Sequence, residues 1–137
     1  MFFNKKESKN ENTYLVKIGA LLIHAAKIDE KYSSKEEETI KKTLLELGAI
    51  EDNLDLIMAD AKKTEEQSNQ ILDFTREIKN MDNKEKIKII ESLWKIIYSD
   101  KNADIYETNL MRRLSGLLYI DSKVMGDIKE RIKKENL

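Results

Sequence analysis

A chain of 137 residues with 25 basic and 26 acidic side chains carries a formal net charge of -1, which argues against a dedicated nucleic-acid binder with its strong basic excess. The absence of cysteine removes disulfides, thiolate metal sites and cysteine catalysis together. With no proline, only 4 glycines and 37% charged beside 40% hydrophobic residues, the composition describes one compact all-α domain with short polar turns.

The first residues, Met1-Phe2-Phe3-Asn4-Lys5-Lys6, hold three apolar side chains before charge begins. That is too short for a secretory signal, and nothing reaches the roughly 20 apolar residues of a spanning helix. We therefore expect a cytoplasmic chain with residues 1–11 as a flexible arm and residues 12–137 as the domain. Peripheral membrane contact through Phe2 and Phe3 is the one membrane reading left open.

Helical spacing of Leu15, Ile18, Leu22, Ala25 and Ala26, widened by Leu21 and Ile23, predicts a central first helix from about Thr13 to Ile28. Ser33 opens a second helix that turns Ile40, Leu44 and Leu47 inward and stops at Gly48. Asp52 or Asn53 starts a third, with Leu54, Ile57 and Ala61 as its inner stripe. Thr64-Glu65-Glu66-Gln67 reads as a capping box opening a fourth, which carries Ile71, Leu72 and Ile78. Asp82-Asn83-Lys84-Glu85 repeats that chemistry before a fifth helix striped by Ile87, Ile90, Trp94 and Ile97. Asp104 opens a sixth with Leu110, Leu114 and Leu117 or Leu118, and Asp121 or Ser122 opens a seventh with Val124, Ile128 and Ile132. About seven helices result, with no convincing strand.

Within this order an Asp followed seven residues later by a Glu occurs twice. Asp29 through Glu36 and Asp100 through Glu107 stand 71 residues apart (29 to 100), each between two predicted helices. The same offset sets Leu22 against Leu93, Ile40 against Met111 and Leu47 against Leu118, so the chain reads as two pseudo-repeated helical halves. It also sets Ala25 and Ala26 against Ile96 and Ile97, which predicts that the first and fifth helices pack together as the core pair. Structurally, Ser33 to Glu36 and Asp104 to Glu107 are capping boxes, and their acidic groups complement the positive ends of helix dipoles. Chemically, Asp29, Glu36, Asp100 and Glu107 are hard oxygen ligands suited to calcium, magnesium or manganese. An EF-hand loop, with its glycine at the sixth position and Glu at the twelfth, is absent.

The stretches Ala25-Ala26-Lys27-Ile28-Asp29 through Glu36 and Ile40, and Tyr98-Ser99-Asp100 through Glu107 and Met111, resemble the TerB-like family. That family is named for tellurite-resistance proteins, and related domains occur in some DnaJ-type co-chaperones. The resemblance covers roughly residues 12 to 135. It implies an all-helical fold with internally repeated halves and a divalent-metal or ligand surface at Asp29, Glu36, Asp100 and Glu107. The family favours glycine after the Asp, whereas this chain has Glu30 and Lys101 there, and Lys101 puts a positive charge beside the second copy.

The remaining polar residues are read structurally. His24 is the only histidine, so it cannot build a zinc cluster and is expected to be partly buried and hydrogen-bonded. Trp94, Met111 and Met125 belong to the core. Arg112 and Arg113 form a solvated face, as do Asp52, Asp55 and Asp60 on the third helix. Glu36-Glu37-Glu38 is followed by Lys41 and Lys42 at pairing distance. No phosphate loop, nucleophile elbow or metalloprotease helix is present. The expected function is a non-enzymatic TerB-like interaction or adaptor domain that meets an unidentified protein partner, with a stress-response role. The alternative is a divalent-cation or small-ligand sensor built on the repeated Asp/Glu motifs.

Overall fold

The computed structural model describes residues 2–27, 34–68, 72–98 and 105–135, with side chains described outside 2–12, 72–73, 77 and 105–108. The described residues form seven helices and no strand. These are α1 (Phe2–Lys27), α2 (Ser34–Glu46), α3 (Glu51–Gln67), α4 (Leu72–Ile78), α5 (Asn83–Ile97), α6 (Ile105–Leu117) and α7 (Ser122–Glu135).

The stripes read from the sequence form one core. Leu15, Ile18, Leu21, Leu22, Ile23, Ala25 and Ala26 of α1 are all buried, as are Ile89, Ile90, Leu93, Trp94, Ile96 and Ile97 of α5. Burying each large apolar side chain contributes about 1.5–3 kcal/mol, which is why an interior of this size holds seven short helices together. Met111 and Met125 fill gaps in it. Phe74 and Ile78 anchor the short α4.

The repeat reaches further than the two acidic motifs. Adding 71 to the bounds of α2 gives those of α6, and adding 71 to the first residue of α3 gives the first of α7. The turn after each short helix closes identically. Ala49 donates its backbone N–H to Leu44 O at 2.9 Å, and Ile120 donates to Ser115 O at 3.0 Å. Both turns carry their positive φ at the same place, Gly48 (114°) and Tyr119 (56°). Ile57 and Ala61 of α3 match Ile128 and Ile132 of α7, and all four are buried. Each half is thus three helices, α1–α2–α3 and α5–α6–α7, with α4 between them.

Within each half the first helix packs extensively on the third, and α1 also packs on α5. Tyr14 on α1 donates its hydroxyl to Glu85 Oε2 on α5 at 3.2 Å, and these two positions are themselves 71 apart. A residue meeting its own counterpart marks the pseudo-symmetry axis between the halves. The expected α1–α5 pair is therefore present, but the closest partner of α1 is α3. The reason is Gly19, whose missing side chain lets Ala61 come in: a Cβ built there would stand 2.9 Å from Ala61 Cβ.

Four local expectations need correction. First, α1 begins at Phe2 rather than near Thr13. Residues 4–12 are polar and carry no stripe, so periodicity is silent there. Second, Thr64 to Gln67 does not open a helix but continues α3, which ends where Ser68 N–H bonds Glu65 O. Third, Asp82 is the N-cap of α5 but makes no side-chain cap hydrogen bond, and Glu85, the other half of the expected box, is turned to Tyr14. Fourth, Val124 is exposed and Met125 takes the inward position at the start of α7. At that helix start Asp121 Oδ1 accepts the Lys123 N–H at 2.9 Å, an N-cap bond of the expected kind.

Candidate functional site

Of the four carboxylates singled out in the repeated motif, Glu36 is the one whose side chain is described. It lies in the first turn of α2 and is only 2% exposed. It is not without a partner. Asp29 and Asp100 lie outside the described residues, as does the cap residue Ser33; Glu107 sits on α6, but its side chain is not described. Among the described residues, no group of three or more His, Asp or Glu side chains is placed to hold a metal ion.

Next to this motif, α1 ends in a small polar cluster. His24 Nδ1 stands 3.6 Å from Glu65 Oε1, and Lys27 Nζ donates to Glu65 Oε2 at 2.9 Å. The His24 ring also packs against Phe74, with centroids 6.2 Å apart. His24 is half-buried, as expected, and this contact gives α4 a foothold on α1. Glu65 ties α3 to α1 through Lys27, and Glu85, the glutamate of the expected box before α5, is spent on tying α5 to α1.

The acidic run on α2 also finds different partners from those expected. Lys62 on α3 donates to Glu37 Oε1 at 2.8 Å, and that hydrogen bond is the main reason the Glu37 carboxyl titrates below its ordinary value of 4.5. Lys41 reaches Asp55 on α3 at 3.9 Å and adds a weaker pull on Glu37. Helix α2 is therefore clasped to α3 by charge, while its Ile40 and Leu44 are buried in the common core.

The outer surface of α3 is the solvated acidic face expected of it, with exposed apolar side chains added. Asp52, Asp55 and Asp60 are exposed, and so are Leu56 (68%) and Ile50 (63%). Leu56 lies about 160° round the helix from buried Met58, so it points away from the core by geometry. The row runs into a groove of about 420 Å³ between α1 and α3, walled by Val16, Lys17, Asp60 and Lys63. The sequence carried a signal for this: Leu56 falls off the Leu54–Ile57–Ala61 stripe, between two inward positions and beside Asp55. An exposed aromatic, Tyr119, stands at the α6–α7 turn. Arg112 and Arg113 are exposed, as anticipated.

No described helix is long and apolar enough to cross a membrane. What the fold and its acidic motif define is an all-helical domain made of two three-helix halves, each with the Asp-to-Glu junction between its first two helices. The family model described as tellurite resistance protein TerB matches residues 16–130, and the chain belongs to that family. No curated protein and no solved structure matches it.

Proposed function

We propose that this chain is a non-catalytic, cytoplasmic interaction module of the TerB family, which meets a protein partner in a stress response of the kind the family name denotes. The observation that carries the reading is Leu56, exposed on the acidic outer face of α3 while the core is closed without it, with Ile50 exposed just before the helix. A large apolar side chain left exposed among like charges is what a recognition surface offers a partner. Asp52, Asp55 and Asp60 choose the partner's chemistry, a basic amphipathic segment, because complementary charge steers and registers an encounter. An anionic membrane or a nucleic acid is repelled by the same face.

The experiment is a pull-down with the full chain beside Leu56→Asp, with partners identified by mass spectrometry. A partner retained by the parent chain and lost from Leu56→Asp, with unchanged melting, is the expected result. Equal recovery by both proteins, or no specific partner at all, overturns the reading.

A second reading rests on Glu36. It lies in the first turn of α2 and is 2% exposed. Calcium, magnesium and manganese suit the oxygen set Asp29, Glu36, Asp100 and Glu107. Calorimetric titration of the three ions into demetallated protein tests this. Saturable heat that vanishes in Glu36→Gln and Asp29→Asn supports a sensor. No heat at millimolar ion leaves capping as the role of Glu36.

A further inference from the structure

Tyr119 holds a backbone conformation that glycine tolerates and a bulky L-residue resists. Its φ is 56°, and the matching position of the first half is Gly48, φ 114°. The hydrogen bonds closing the two turns are the same, so the fold forms this turn with glycine at no loss. The phenol ring is also not there for the core, since Tyr119 is 72% exposed. A strained, exposed aromatic at a position where glycine serves the fold better marks a functional constraint.

Beside the ring lies a cleft of about 220 Å³ between α4 and the end of α6, lined by Thr75, Arg76, Lys79, Gly116, Leu117 and Tyr119. Arg76 and Lys79 are three apart on one side of α4 and its following turn. Neither makes an ion pair with a described residue. Gly116 leaves its wall open, because a Cβ built there meets nothing within 4 Å. Thr75, 2% exposed, is a further polar residue of the lining. Two cations without an ion pair among the described residues, one of them a planar guanidinium, match an anionic oxygen cluster such as a phosphoryl group. An exposed phenol offers a flat stacking face.

We propose that this cleft binds a small phosphorylated ring compound of the nucleoside monophosphate class. Arg76 and Lys79 hold the phosphate, and the base stacks on Tyr119. The cleft is smaller than the roughly 300 Å³ at which pockets begin to enclose a whole small molecule, so the phosphate end is enclosed and the base lies outside over the ring. The proposal is independent of partner docking on α3, which lies on other residues.

The test is a titration of the full chain with adenosine monophosphate, followed by amide chemical shifts, beside inorganic phosphate and adenosine alone. The expected result is saturable shifts over residues 75–79 and 116–120, with each fragment at least tenfold weaker than the nucleotide. Tyr119→Gly is expected to melt higher than the parent, since strain is relieved, and yet to bind at least tenfold more weakly. Arg76→Gln is expected to lose affinity with unchanged melting. Absence of shifts at millimolar nucleotide, equal affinity for inorganic phosphate, or undiminished binding by Tyr119→Gly would each overturn the proposal.

Discussion

At Gly19 a single added carbon decides how close two helices come. The 2.9 Å separation from Ala61 Cβ is shorter than real Cβ contacts, and Ala61 Cβ is fixed to its backbone and cannot swing aside. Gly19→Ala would gain helix propensity but force α1 and α3 apart, and overpacking of this kind costs about 1–3 kcal/mol. Thermal melts followed by the emission of Trp94, the sole and buried tryptophan, check it. A lower melting temperature is expected, and an unchanged one would mean that the two helices are free to separate. Tyr119 shows the limit of reading at this scale. A Gly at position 48 announces its turn, whereas nothing in the letters Leu-Leu-Tyr-Ile reveals that Tyr119 shares the same backbone conformation. Only the repeat, once aligned through the hydrogen bonds of both turns, makes it visible.

Between α2 and α3 the clasp of Glu37 and Lys62 predicts a pH dependence. The Lys62 hydrogen bond lowers the Glu37 pKa below 4.5, so the folded chain holds the ionised form more firmly than the unfolded chain does. Its contribution is fully present above pH 4.5 and is lost as pH falls through the lower folded value. Both side chains are partly exposed, so the size is modest, about 0.5 kcal/mol at neutral pH. Lys62→Gln is expected to melt below the parent at pH 7, with the difference closing as pH falls well below 4.5; a difference that persists in acid would point to lost packing by the lysine stem. This element also shows why start signals misled. Capping boxes are defined by side-chain identity, and a Glu in the right place serves equally well as a tertiary ligand. Glu85 is taken by Tyr14 and its box does not form, while α3 runs on through Thr64, so no helix starts there.

Across the whole molecule, helix order, the inward stripes and the two-halved plan were legible because each rests on a repeating pattern many residues long. The α1–α5 pairing was legible only in part, since Gly19 and Ala61 make α3 the closer neighbour and small residues carry little hydrophobic signal. The repeated acidic motif located Glu36 at a buried helix start. Its companions Asp29 and Asp100 fall outside the described residues, so their assembly into one site stays a proposal. The apolar part of the α3 face went unread because its acids outnumber Leu56 and Ile50, and exposure of an apolar side chain is a property of the packed molecule.

The central claim is that the outer face of α3 is where a partner sits. Amide hydrogen exchange of the partner complex, compared with the free chain, tests it most directly. The account predicts that slowed exchange and protection concentrate along Ile50 to Lys63, and that Leu56→Asp abolishes both. Protection confined to other helices, with α3 exchanging as in the free chain, would contradict it.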